Sequence, residues 1–149
     1  MRTRNNFNIS IQGLDNTLDK LGRLAKQNES EAKKAIAETA INIERKAKEN
    51  LAAIEFKESV GGIAQSGYVL FSADRLGADV GFNMYYAPYI EYGTGNYVDV
   101  PKGFEDYAWQ FKGNDKRQVN IKPMPYFHPA VESELINLRS KLEASLRNP

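Results

Sequence analysis

The residues best equipped for chemistry gather between Tyr85 and Gly95, in the run YYAPYIEYGTG. Glu91 is the best isolated acid of the chain, because it sits among Tyr85, Tyr86, Tyr89 and Tyr92. A carboxyl so placed serves either as a general acid or base or as a fixed structural partner to a cation or a tyrosine hydroxyl, and the structural use outweighs the catalytic one. His128 is the single histidine and cysteine is absent, so neither a zinc site nor a facial triad can be assembled from imidazole and thiolate. A serine nucleophile would have His128 as its one conventional base, and no GxSxG elbow accompanies it. Gly93-Thr94-Gly95 lacks the further glycine of a dinucleotide fingerprint, and no GK[ST] phosphate loop occurs. Glu105 and Asp106 are adjacent and expected to be solvated. No catalytic, cofactor or metal site is therefore expected.

The tyrosine run needs elements to hold it. Pro88 fixes its own backbone angle and pushes Ala87 toward an extended conformation, so a strand arriving through Met84 is expected to turn here into one helical turn. Gly93 is its natural stop. Over residues 88–92 a helix would place Tyr85, Tyr89 and Tyr92 on one face and Tyr86 with Ile90 on another. Tyrosines in this pattern suit a core rim or a protein contact.

Upstream, Phe7 to Ile11 alternates as a short strand that ends at Gly13. Leu14, Leu18, Leu21 and Ala25 follow at helical spacing. Asn28 and Glu31 have capping-box offsets, which predicts a break. Ala32, Ile36, Ala40, Ile43, Ala47, Leu51 and Ile54 then resume the stripe, so a single long bent helix of about 60 Å competes with two helices. Coiled-coil association is a second use of this stripe. Gly61-Gly62 marks residues 55–66 as a flexible link. Residues 68–72 and 76–82 are expected to form an antiparallel hairpin connected through 73–75.

Residues 96–122 are expected to hold a second hairpin, from the alternation of Tyr107, Trp109 and Phe111 and again of residues 118–121. It would extend the sheet or project as an arm. Its aromatics, Trp109 included, pack on the chain's own core or dock on a neighbour. Lys112, Lys116, Arg117 and Lys122 fit a solvated tip, or contact with DNA or an acidic partner. Pro123 to Pro129 is too proline-rich for a central strand and should run extended along the surface. Pro129 then opens a terminal helix, striped by Val131, Leu135, Leu138, Leu142 and Leu146, that should lie on the sheet beside the first helix. The proline stretch as a free PxxP ligand is the alternative.

Length and composition agree with one α+β domain over residues 1–149. Its expected architecture is an antiparallel sheet of about four strands, packed by a long N-terminal helix, continuous or broken, and a C-terminal helix, with an extended loop or hairpin arm. Hydrophobic content of 42% and charged content of 26% are those of a soluble globular protein, and no apolar run approaches the length of a membrane span. No apolar stretch follows Arg2 and Arg4, so no secretory leader is expected. A net charge of +1 argues against gripping DNA as the main task.

Two motifs carry a family likeness. Tyr86-Ala87-Pro88-Tyr89-Ile90-Glu91-Tyr92-Gly93-Thr94, followed by Pro125-Tyr126-Phe127-His128-Pro129-Ala130 just before a terminal helix, resembles the neck and tail-completion (head-tail joining) proteins of long-tailed bacteriophages, of the tail-component or minor tail protein Z type. The likeness covers most of the chain. It implies a non-enzymatic virion protein that forms a homo-oligomeric ring in the head-tail connector and is assembled in the bacterial host cytoplasm. Its implied partners are head-closure or adaptor proteins and the tail terminator or tail tube, with genomic DNA as passing cargo and no membrane. The resemblance also implies that Glu91 and Thr94 hold the turn and a subunit contact. The competing class, drawn from the clustered aromatics and basic hairpin tip, is a monomeric binding module for nucleic acid or a protein ligand.

Overall fold

The computed structural model describes residues 7–10, 28–54, 60–105, 111 and 120–147. Its spine is helix α1, Glu29–Ala52. The stripe expected from spacing is the one buried: Ala32, Ile36, Ala40, Ile43, Ala47 and Leu51 all face the core, and Ile54 packs against it. Alanine at alternate turns lets neighbouring elements approach closely. The predicted capping box does not form. Asn28 makes no side-chain cap to α1, and its amide instead donates to the carbonyl of Ser145, 2.8 Å away. Residues 11–27, with the stripe from Leu14 to Ala25, lie outside the described residues.

The link over residues 55–66 proves in part helical. Helix α2, Val60–Gln65, forms despite Gly61-Gly62 because Ile63 anchors it with no exposed surface. The chain then enters strand β2, Gly67–Phe71, which pairs antiparallel with strand β3, Ala78–Phe82. Gly67 is where the sheet meets α1. A Cβ there would stand 2.9 Å from Glu44 Oε1 and 3.0 Å from Lys48 Cε.

Strand β1, Phe7–Ser10, pairs with the other edge of β3, with Ile9 opposite Val80, giving the order β1-β3-β2. The expectation of about four strands is thus corrected to three among the described residues. Phe111 falls in a 3-10 turn and residues 120–127 have no regular structure, so the second hairpin is not seen at the described positions. The rest of it, including Trp109, lies outside them. Ala78, Val80 and Phe82 alternate toward the α1 side and are buried.

Helix α3, Ala87–Tyr92, and a 3-10 turn, Gly95–Tyr97, follow the hairpin, and helix α4, His128–Arg147, closes the described chain. Against expectation, α4 packs chiefly along α1 rather than on the sheet. The two run antiparallel, since Asn28 reaches Ser145, Lys141 reaches Glu38 at 3.0 Å and Lys46 pairs with Glu134. Val131, Leu138 and Leu142 are buried, whereas Leu135 is exposed, because Ala130 and Glu134 share the buried face in its place. No described helix is long and apolar enough to cross a membrane.

Candidate functional site

Helix α3 begins one residue earlier than expected, since Ala87 is its first residue rather than an extended one ahead of Pro88. Pro88 occupies its first turn, and the Ala87 N–H bonds back to the Met84 carbonyl at 3.0 Å. It ends at Gly93, whose φ of 74° and ψ of −177° belong to glycine. The position is also crowded, since a Cβ would lie 2.6 Å from the Ile121 carbonyl oxygen and 2.9 Å from Pro123. Gly93 therefore lets one piece of backbone cross another.

The crossing segment, residues 120–128, is fastened along the whole motif. The Asn96 N–H donates to Asn120 Oδ1 at 3.0 Å. Thr94 is tied to Ile121 twice: its N–H donates to the Ile121 carbonyl at 2.9 Å, and its Oγ1 accepts the Ile121 N–H at 3.0 Å. The Met124 N–H donates to the Ile90 carbonyl at 2.8 Å. Glu91 then makes the central contact. Its Oε2 accepts the backbone N–H groups of Tyr126 and Phe127, both at 2.8 Å, and its Oε1 accepts that of His128 at 2.9 Å.

The His128 N–H is the first of α4 and those of Tyr126 and Phe127 immediately precede it, so none of the three has a partner inside the helix. Helices commonly cap themselves with the residue just before the first turn. Here the cap comes from another helix, and a carboxylate at this end also meets the positive pole of the helix dipole. Pro129 fits the same logic, as the second residue of α4 it forgoes a donor that the helix would not use. Asn50 of α1 completes the anchorage by donating to the Tyr126 carbonyl at 2.9 Å.

The rings around this point form a continuous aromatic core. Phe82 meets Tyr126 and Phe127 edge-on, each with centroids 5.3 Å apart. Tyr92 Oη lies 2.7 Å from His128 Nε2. Phe104 stands edge-on to the His128 ring at 4.7 Å, and Phe111 lies 5.5 Å from Tyr92 and 5.4 Å from Tyr89. Burial pushes the Glu91 carboxyl above the usual range, with the N–H groups of Phe127, His128 and Tyr126 pulling it back in part. Burial, reinforced by the charge of Glu91, raises the Tyr126 phenol. Burial lowers His128, against the opposing pull of Glu132.

The two motifs thus meet, but most of their residues serve the interior. Ala87, Glu91, Tyr92, Gly93, Phe127 and Ala130 are buried within the chain, and Tyr86, Pro88 and Thr94 are half-buried. A subunit contact through the Glu91 side chain is therefore corrected to an internal cap, because only 2% of the residue is exposed and both its oxygens are engaged. Tyr89, Pro125 and Pro129 remain on the surface. The single face expected for Tyr85, Tyr89 and Tyr92 is split, with Tyr85 77% exposed and Tyr92 buried. The proline stretch does not run wholly along the surface, nor is it free as a ligand, since Tyr126 and Phe127 enter the core between exposed Pro125 and Pro129.

Sequence reasoning missed Asn50, Phe82, Phe104, Asn120 and Ile121 as members of the site. Phe82 was legible as an inward strand residue, whereas nothing in the local pattern marks Asn50 or Asn120 as partners of residues far along the chain. Among the described residues, no group of three histidine, cysteine or acidic side chains is placed to hold a metal ion. A buried carboxylate engaged with three amides is suited to positioning backbone rather than to exchanging protons with a solute. Compared with protein-family models, with curated proteins and with solved structures, the chain has no match in any of the three.

Proposed function

We propose that this chain is a structural component of a phage head-tail connector, a neck or tail-completion protein that forms a ring of like copies and works by association rather than catalysis. The observation that carries this reading is the mating of the two family-like motifs through Glu91, which makes them one rigid unit. Around that unit, Tyr85, Tyr89 and Tyr97 are 77%, 37% and 47% exposed, and Tyr and Trp side chains of this kind carry much of the energy of protein contacts. In this reading they meet neighbouring copies, head-closure or adaptor proteins, and the tail terminator or tail tube. DNA passes through the ring without being gripped, and the protein is assembled in the host cytoplasm and ends in the virion.

The test is its presence and symmetry in particles. Imaging of purified virions should place a closed ring of this chain between head and tail, and Tyr85→Ala, at a residue 77% exposed, should reduce particle yield while moving the thermal midpoint of the isolated chain by about 2 °C or less. Virions that lack the chain would sink the proposal. The competing class, a monomeric nucleic-acid module, is favoured by one observation, the Lys122 ammonium 5.9 Å above the Tyr97 ring. Its signature would be DNA binding that weakens steeply with salt.

A further inference from the structure

His128 is the buried imidazole of the junction, and the connector reading makes no use of it. Its side chain is nested between α3 and the segment that follows α3: Tyr92 Oη lies at 2.7 Å from Nε2, and the Tyr92 and Phe104 rings lie at 5.4 and 4.7 Å. Only 5% of the residue is exposed. His128 is also the first residue of α4, where the exposed ends of the peptide dipoles are positive. A cation at this place loses water and faces a pole of its own sign. A neutral ring suits it, sharing one hydrogen with the Tyr92 hydroxyl in either tautomer.

The charged and titratable groups of the described elements around the ring do little to offset this. From α3 come Glu91, whose oxygens are held by three backbone N–H groups, and Tyr92. From the covering segment come Tyr97, Asp99, Lys102 and Glu105, all exposed, the last accepting the Gly103 N–H at 2.8 Å. From α4 itself comes Glu132, one turn on and exposed. Burial accordingly holds the imidazole below its ordinary range, with Glu132 opposing.

We propose that His128 is an acid-sensitive latch, whose protonation drives the ring from beneath Phe104 and releases residues 98–105, while residues 93–97, bound to 120–121, and the α1–α4 pair stay folded. Opening returns the ring to water, where it holds its proton more tightly. The opening constant should therefore rise about tenfold per pH unit between the ordinary imidazole value and the lower closed-state value. What acid uncovers is the aromatic surface of Tyr92, Phe104 and Phe111, of a kind suited to binding another protein. The latch does not depend on the connector reading.

With one histidine in the chain, its imidazole resonance needs no assignment. Titration should place its midpoint below that of a free histidine. Hydrogen-exchange protection factors of the Asp99 and Phe104 amides should fall with it, while those of Thr94 and of α1 hold. His128→Gln keeps a hydrogen-bonding group for Tyr92 but does not titrate, and should abolish the acid dependence. An ordinary midpoint, an equal loss of protection in α1, or the same acid dependence in His128→Gln would each overturn the latch. Should the variant fail to fold, the titration and exchange of the unaltered chain decide.

Discussion

Helix α4 is held in two ways that share almost no chemistry. Along α1 it is held by many small contributions: an apolar cluster of Ala32, Ile36, Ala40 and Ile43 with Val131, Leu138 and Leu142, flanked by the ion pairs Lys141–Glu38 and Lys46–Glu134. At its start it is held by one carboxyl that serves three backbone donors. The first arrangement is redundant, and loss of one member leaves the others. The second is not, because removing Glu91 strands three buried N–H groups at once, and an unsatisfied buried donor costs about 1–3 kcal/mol. Contacts of similar apparent density can therefore differ greatly in their tolerance of change.

Substitution tests that contrast, and the largest effect belongs to the junction. Glu91→Ala should destabilise the isolated chain by about 4 kcal/mol in chemical denaturation, and a loss under about 1 kcal/mol would show that water replaces the cap. Glu91→Gln keeps one oxygen for Tyr126 and Phe127 but turns an amide toward the His128 N–H, so about half that loss is expected. Gly93→Ala comes next, at about 3 kcal/mol, combining an unfavourable backbone conformation with the clash at Ile121. Thr94→Val removes a single acceptor for the Ile121 N–H and should cost about 1 kcal/mol. Lys141→Ala, on the redundant side, should move the thermal midpoint by about 2 °C or less, since exposed ion pairs contribute little.

Acidity separates the two regions by sign. Glu91 is raised from the ordinary 4.5, so the folded state holds a proton that the unfolded chain has released; its contribution to stability is fullest below that value and falls as pH rises through the raised one. Glu134 is lowered despite its burial, by the Lys46 partner, so its contribution is present above 4.5 and lost as pH falls through the lower value. Denaturation profiles of Glu91→Gln and Glu134→Gln between about pH 3 and pH 8 should depart from the parent in opposite directions. Parallel departures would break the comparison.

How far the sequence could anticipate this follows the same division. The stripes of α1 and α4 repeat a short period, so local spacing was enough to find both helices and the buried face of α1, but not that of α4, where Glu134 is buried and Leu135 exposed. Pro88 and Gly93 marked the bounds of α3 for equally local reasons. Two local signals misled. Gly61-Gly62 suggested a link, but burial of Ile63 outweighs the helix cost of glycine, about 1 kcal/mol per residue. Asn28 and Glu31 matched a capping box, but the Asn28 amide found the far end of α4. The role of Glu91 was half legible: its place among tyrosines suggested a structural duty, but its partners lie more than thirty residues away and are backbone groups, which no side-chain pattern announces. The packing of α4 on α1 rather than on the sheet was not legible either, because an apolar stripe does not name the surface it meets.

The cap on α4 also sets an order in which the core can close. Glu91 leaves the ribosome well before the amides it binds, so until residues 126–128 arrive the acid has no donors to accompany it into the interior, and closing the core around it is costly. A chain cut short of residue 126 leaves Glu91 without these three donors, so its α3 turn should be cleaved faster by added protease than that of the chain carrying them. Arrival of residues 126–128 and closure of the core around Glu91 are thereby coupled.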